Sequence, residues 1–240
     1  MRRLKTEIHP RSALDEGAIA SMFRLYRDYY DATDPDIFRA DLNEKDYVVL
    51  LLDDVGEVRG FSTLAILLFE FDGQAMRALF SGDTIIHHLY WGEQSLALAW
   101  CRLAGAIKAM APTQPLYWFL ISKGDRTYRY LPLFSKQFFP TRQAETPAHY
   151  KALMDFLAYQ KFGGAYDAER GVVRFPSPRG HLRAEWTREN SADCNKPDVR
   201  YFLQKNPGYH QGDELVCLTE LALDNLRSHA RRAFAESLVL

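Results

Sequence analysis

Between residues 13 and 30 the apolar side chains Leu14, Ala18, Met22, Leu25 and Tyr29 recur at helical spacing. Ser12 stands at the cap and Asp15 three residues on completes a capping box, so a helix is predicted from about Ala13 to Tyr30. A polar, turn-rich segment follows (31–36). The chain then becomes strongly apolar in three runs: Tyr47 to Asp53, Val58 to Phe71, and Ala75 to about His88. The turns between them, Asp54-Val55-Gly56-Glu57 and Asp72-Gly73, make these three successive antiparallel strands.

Helical spacing returns from Trp91 to Met110, where Leu96, Trp100, Leu103, Ile107 and Met110 share a face, and Pro112 and Pro115 end the helix. Leu116 to Ile121 reads as a buried strand. A strand–helix–strand passage of this kind predicts parallel pairing. Further helices are predicted over about Thr127 to Lys136, interrupted by Pro132, and from His149 to Lys161. Residues 163–195 look irregular, with one short strand at Val172 to Phe175. A last hairpin is expected to join Val199–Gln204 to Glu214–Leu218, and a terminal helix to start near Leu221.

The 240 residues suit one large domain, which should bury roughly 70–75% of its unfolded surface. With 30 basic and 31 acidic residues the net charge is −1, so no global field recruits nucleic acid. The tract Arg170, Arg174, Arg179, Arg183 is offset by Glu169 and Glu185 and lacks interleaved aromatics. The aromatic share of 13% suggests an aromatic-lined cavity or a bulky core. Cys101, Cys194 and Cys217, spaced by 93 and 23, read as neither a disulfide framework nor a zinc site, and a reducing, cytoplasmic setting is expected. The basic start is followed by Thr6, Glu7 and His9 where a signal peptide needs an apolar core. The longest apolar runs reach about six residues against the roughly 20 a membrane span takes, so no span is expected. No G-x-S-x-G, H-E-x-x-H, Walker A or strand-linked G-x-G-x-x-G signature occurs.

The segment from Ser81 to Leu98 carries a strand end, a turn and a helix start. In that segment Ile86, Tyr90 and Gly92 stand where the GNAT superfamily of N-acyltransferases has its valine, aromatic and first glycine. The order of elements over about residues 13–140 is similar to that family as well. The resemblance implies an α/β fold with a GNAT-like mixed sheet: antiparallel N-terminal strands, a strand–helix–strand crossover and helices on both faces. Residues 1–240 would form one domain, with its core in 13–140 and a C-terminal extension in 141–240. His88 replaces the family's usual proline, Trp91 its arginine or glutamine, and Gln94 and Leu96 its glycines. These departures fall where free helix N–H groups cradle pyrophosphate, and Glu93 adds a negative charge there. A phosphopantetheine arm carries one phosphate and demands less. The implied co-substrate is therefore acyl-CoA or acyl-phosphopantetheine, the latter bringing an acyl carrier protein as partner. The donor-binding residues would be Ile86, His88, Tyr90, Trp91, Gly92, Gln94 and Ser95, with Ser122, Lys123 and Arg126 from the next strand and helix.

Such a reaction needs a base for the amine, an oxyanion site and an acid for the departing thiolate. Asp83 is an acid inside an apolar strand, which suits a base and equally suits a bulge carboxylate holding local N–H groups. His87 shares its strand face, about 13 Å away if extended, and His88 should point to the opposite face. Tyr128 is the candidate acid, with Tyr130 beside it. Counting back from Phe138-Phe139, Phe134 falls where the family has this tyrosine. Glu70, beside the Asp72-Gly73 turn, reads as solvent-facing. Lys123, Arg126 and Arg129 form a basic group suited to a phosphate or an acidic carrier surface. The expected activity is transfer of an acyl group from a thioester to a small-molecule amine, without a metal. A medium or long acyl chain would use an aromatic tunnel. The competing reading is a non-catalytic acyl- or partner-binding protein on the same fold.

Overall fold

A computed structural model describes residues 4–176, 180–186 and 195–238 of the chain. Arg179 and Cys194 lie outside the described residues. In chain order the elements begin with β1 (Lys5–Pro10), α1 (Glu16–Arg27), β2 (Tyr30–Asp31) and α2 (Pro35–Asn43). The long strands β3 (Tyr47–Leu52), β4 (Val58–Phe71) and β5 (Gln74–Ile86) follow, then α3 (Ser95–Ala109) and β6 (Leu116–Ser122). Next come α4 (Asp125–Tyr128), α5 (Tyr130–Phe134), α6 (Ala148–Phe162), β7 (Tyr166–Asp167), β8 (Val172–Val173) and β9 (His181–Leu182). The chain ends with α7 (Pro197–Lys205), β10 (Glu214–Glu220) and α8 (Ser228–Glu236).

Eight strands form one sheet in the order β1-β3-β4-β5-β6-β10-β8-β7. Among the described strands only the β5–β6 pair is parallel, and α3 makes its crossover. This is the GNAT-like mixed sheet that the order of elements implies: β3–β4–β5 antiparallel, then a strand–helix–strand step, with helices on both faces. Side-chain alternation sets the layers. Val49 and Leu51, with Leu116, Trp118 and Leu120, face α3 and α8. Phe119, Val216 and Leu218 face α6, while Val48, Leu50 and Phe61 face α1 and α2. Arg77, buried on β5, donates to the carbonyls of Ile107 and Ala111, each at 2.7 Å, and so closes the C-terminal end of α3.

Three expectations from the sequence need correction, and one strand is unanticipated. The first helix starts at Glu16, because Asp15 is its cap and accepts from the Ala18 N–H at 2.7 Å. Strand β1 carries no apolar run, since as a charged edge strand it buries little and pairs only with β3. Val199–Gln204 is helix, not a hairpin arm: Pro197 opens it, and Val199 and Phe202 bury one face at i,i+3. The terminal helix begins at Ser228 rather than near Leu221. The last hundred residues also complete the sheet, because β10 lies hydrogen-bonded between β6 and β8. Among the described residues no helix is long and apolar enough to cross a membrane.

Candidate active site

Strands β5 and β6 pair only from Arg77–Leu116 to Ser81–Leu120 and then part. At the same level β5 bulges against β4: Ser62 faces Thr84 and Leu64 faces Ser81, so Gly82 and Asp83 together oppose Thr63. Glycine is required at 82, where a Cβ would come within 2.6 Å of the Thr63 hydroxyl and 2.7 Å of Lys45 Cε. The bulge re-aims Asp83, and the parting strands leave backbone of β5 without a ladder partner on the β6 side.

A cavity of about 800 Å³ fills the gap. Thr84, Ile85 and Ile86 form its floor, Trp91, Gly92, Glu93, Gln94, Ala97 and Leu98 supply one wall, and α4, α5 and the start of α8 supply the other. Arg126, Arg129, Lys136, Arg227 and Arg231 make this second wall basic. A smaller cavity of about 100 Å³ adjoins it and shares Tyr30, Thr84 and Thr127 with it. Here Asp41, Asp83 and Glu214 meet Lys123, between the rings of Tyr26, Tyr30 and Phe80.

The charges in this smaller cavity are coupled. Lys123 Nζ lies 3.5 Å from Glu214 Oε1 and 5.4 Å from the centre of the Tyr30 ring. Burial pushes Asp83 up to about 6, with Lys123 opposing and Asp41 adding to the rise. Glu214 is pushed up to about 7 by burial, again opposed by Lys123 and reinforced by Asp83. Burial works to lower Lys123, but the Glu214 and Asp83 carboxylates outweigh it and hold the ammonium charged. Asp41 is itself paired with Lys45 at 2.7 Å. A carboxylate that is easily protonated near neutral pH beside a cleft is suited to take up a proton.

The structure sorts the candidates. Asp83 and Lys123 line the small cavity; Ile86, Trp91, Gly92, Gln94 and Arg126 line the large one. Arg126 lies 3.8 Å from the centre of the Trp91 ring, whose indole donates to the Ile86 carbonyl at 2.8 Å. Lys123 thus belongs with the acids rather than on the basic wall.

His87, His88, Tyr90, Ser95, Ser122 and Tyr128 line neither cavity. His87 and His88 do not point to opposite faces, because β5 has ended at Ile86; their rings stack at 4.3 Å, and His88 stacks in turn on Trp186. Tyr128 is fully buried and donates to the Pro140 carbonyl at 2.9 Å, so its proton is committed to the core. Its neighbour Tyr130 and Phe134 line the cleft instead. Ser122 is buried at the end of β6, its carbonyl accepting from Asn206.

Glu93 does more than add charge. Its Oε1 accepts from the Gln94 N–H at 2.9 Å, the Ser95 N–H at 3.0 Å and the Ser95 hydroxyl at 2.6 Å. The chain's own carboxylate therefore sits where a helix N-terminus would receive a phosphate.

Sequence reasoning missed Asp41 and Glu214. Glu214 carries the same signal as Asp83, an acid at the head of the apolar run Leu215–Leu218. Among the described residues no group of three or more His, Cys, Asp or Glu side chains could hold a metal ion.

No protein-family model matches the chain, and no curated protein matches it. Among solved structures, a probable N-acyltransferase from Enterococcus faecalis V583 is similar over 57% of this chain and 33% of its own, at 15% identity and a TM-score of 0.41. The chain thus spans a third of that protein. The GNAT family N-acetyltransferase YhbS from Escherichia coli, in complex with CoA, aligns over 54% of this chain and 68% of its own, at 11% identity and a TM-score of 0.40. Arabidopsis thaliana NAA60, in complex with acetyl-CoA, aligns over 56% of this chain and 87% of its own, at 13% identity and a TM-score of 0.41.

Proposed function

We propose that the protein is a GNAT-like N-acyltransferase that moves an acyl group from a thioester in the large cleft to an amine in the small acidic cavity. The observation that carries this reading is the meeting of the two cavities at Thr84, Thr127 and Tyr30, where β5 and β6 part. A long basic-walled cleft suits a phosphate-bearing pantetheine arm. A carboxylate-lined hollow suits an amine.

In this reading the amine nitrogen attacks the thioester carbonyl carbon; the C–N bond forms and the C–S bond breaks. The amine's proton passes to Asp83, directly or through water, and the leaving thiolate takes a proton from Tyr130. Unpaired β5 backbone beside the bulge offers donors to the oxyanion. Lys123 keeps Asp83 from rising further and holds Glu214 in place. With Glu93 occupying the α3 N-terminus, the donor's phosphate is held by side chains of the opposite wall. This favours acyl-phosphopantetheine on an acyl carrier protein over coenzyme A.

The test is thiol release from matched coenzyme A and carrier-protein thioesters with a panel of amines. Carrier thioesters should give the larger kcat/KM. Amine-independent binding of donors without any thiol release would instead support the non-catalytic acyl-binding reading.

A further inference from the structure

Residues 180–186 run past the junction of the two cavities. Gly180 lies against the hydroxyl of Tyr26, a wall of the small cavity, and two residues on Leu182 lines the large cleft. Glycine is required at 180, where φ is +82° and a Cβ would come within 2.8 Å of that hydroxyl. Here β9 pairs with β2, Tyr30 opposite Leu182 and Asp31 opposite His181. Tyr30 is shared by both cavities.

The segment is lightly held. Gly180 is its only buried residue, and the others are half-buried or exposed. Beyond the two-residue ladder, the Arg183 N–H donates to the Tyr29 carbonyl at 3.0 Å and the Trp186 indole to the Asp28 carbonyl at 3.0 Å. Segments with few buried apolar contacts and exposed hydrogen bonds open most readily.

Trp186 fastens the far end. Its ring centre lies 5.1 Å from that of Tyr29, 5.2 Å from His88 and 5.4 Å from Trp91, and its carbonyl accepts from Arg126 Nη1 at 3.3 Å. Trp91 and Arg126 also line the large cleft. The fastening is therefore built on side chains that a donor in the cleft would meet. The Arg126 guanidinium donates more strongly to a charged phosphate oxygen than to a neutral carbonyl, and a pantetheine arm would displace the Leu182 side chain. Both effects make a donor bind better with the segment lifted, and such a difference is what shifts an equilibrium.

Resting on the acyltransferase reading, we propose that residues 180–186 are a strap across the junction of the two cavities, latched by Trp186, and that a donor bearing phosphopantetheine releases it. Donor binding then precedes entry of the amine.

The test locks the strap with Asp31→Cys and His181→Cys, in a Cys194→Ser chain whose other cysteines, Cys101 and Cys217, are buried. Paired strand residues lie about 4.5–5.5 Å apart at Cα, within the range a disulfide spans. The reduced protein carries the same substitutions and serves as control. In the reduced form, 4′-phosphopantetheine should speed exchange of the Arg183 amide hydrogen on the order of tenfold and leave β4 and β5 unchanged. Oxidation should abolish that response. It should also lower thiol release from a carrier thioester about tenfold, restored on reduction. Unchanged or slower Arg183 exchange with the probe, or a cysteine pair that will not oxidise, overturns the strap. So does equal turnover in both forms, which leaves acyl transfer standing. Exchange that responds to the probe without thiol release from any donor removes the transferase reading and leaves the strap standing.

Discussion

Asp83 lies buried in a bulge beside Lys123 and Asp41, where its carboxylate loses hydration that Lys123 only partly replaces, and its pKa rises to about 6. A base must be unprotonated to act, so kcat/KM should fall as pH drops through about 6. Asp83→Asn should remove this acidic limb and lower kcat about 10²–10⁴-fold with little change in KM. The same shift works against stability. An acid whose folded pKa is raised binds more protons when folded, so stability declines as pH rises from the unfolded value near 4 through the folded value near 6. Asp83→Asn should therefore melt at or above the wild-type temperature at pH 8 while losing activity. A lower melting temperature with full activity in the folded fraction would make Asp83 a structural residue. Tyr130→Phe, if Tyr130 protonates the thiolate, should lower kcat and leave the Asp83 limb in place. Tyr128→Phe should change melting temperature only, since Tyr128 serves the Pro140 carbonyl.

At the scale of elements, the start of α3 is where the proposed donor reading is most directly tested. Glu93 takes the N–H groups of Gln94 and Ser95 at the head of the helix. Glu93→Ala should cost the protein about 0.5–1.5 kcal/mol through the hydrogen bonds lost at the head of α3. It should also lower KM for acyl-CoA several-fold relative to the carrier thioester, because the freed donors can receive pyrophosphate. Unfolding and donor kinetics on one preparation separate the two effects. No change in donor preference would mean that this terminus does not face the donor. The bulge in β5 is the second such device, and Gly82 is what allows it. Replacing Gly82 by valine should push Thr63 and Lys45 aside and impair turnover more than melting temperature.

At the scale of the molecule, the charge is balanced overall but divided across the site. Basic side chains from α4, α8 and the residues flanking α5 line the large cleft, and carboxylates from α2, β5 and β10 line the adjoining cavity. Arg129→Glu or Arg231→Glu should raise KM for a carrier thioester, and the increase should grow as salt is lowered, because exposed charges are screened within about 10 Å at 0.1 M. An unchanged salt profile would leave the basic wall without a part in docking.

Much of this was written locally in the chain. The turns at Asp54–Glu57 and Asp72-Gly73 placed β3, β4 and β5 almost to the residue, and the helical spacing of Leu96, Trp100, Leu103 and Ile107 identified the face α3 buries. Asp83 stood out because an acid in an apolar strand is itself a local anomaly. The sequence could not show that Lys123 would face Glu214, ninety-one residues away, or that Tyr128 and Tyr130, two residues apart, would divide between core and cleft. Nor could it show that β1 is a strand or that Val199–Gln204 is a helix. The physical reason is the same in each case. Periodicity and turn chemistry act over a few residues and fix which elements form. Where a strand lies in the sheet, where two strands part and which charges share a cavity depend on contacts between segments far apart in sequence.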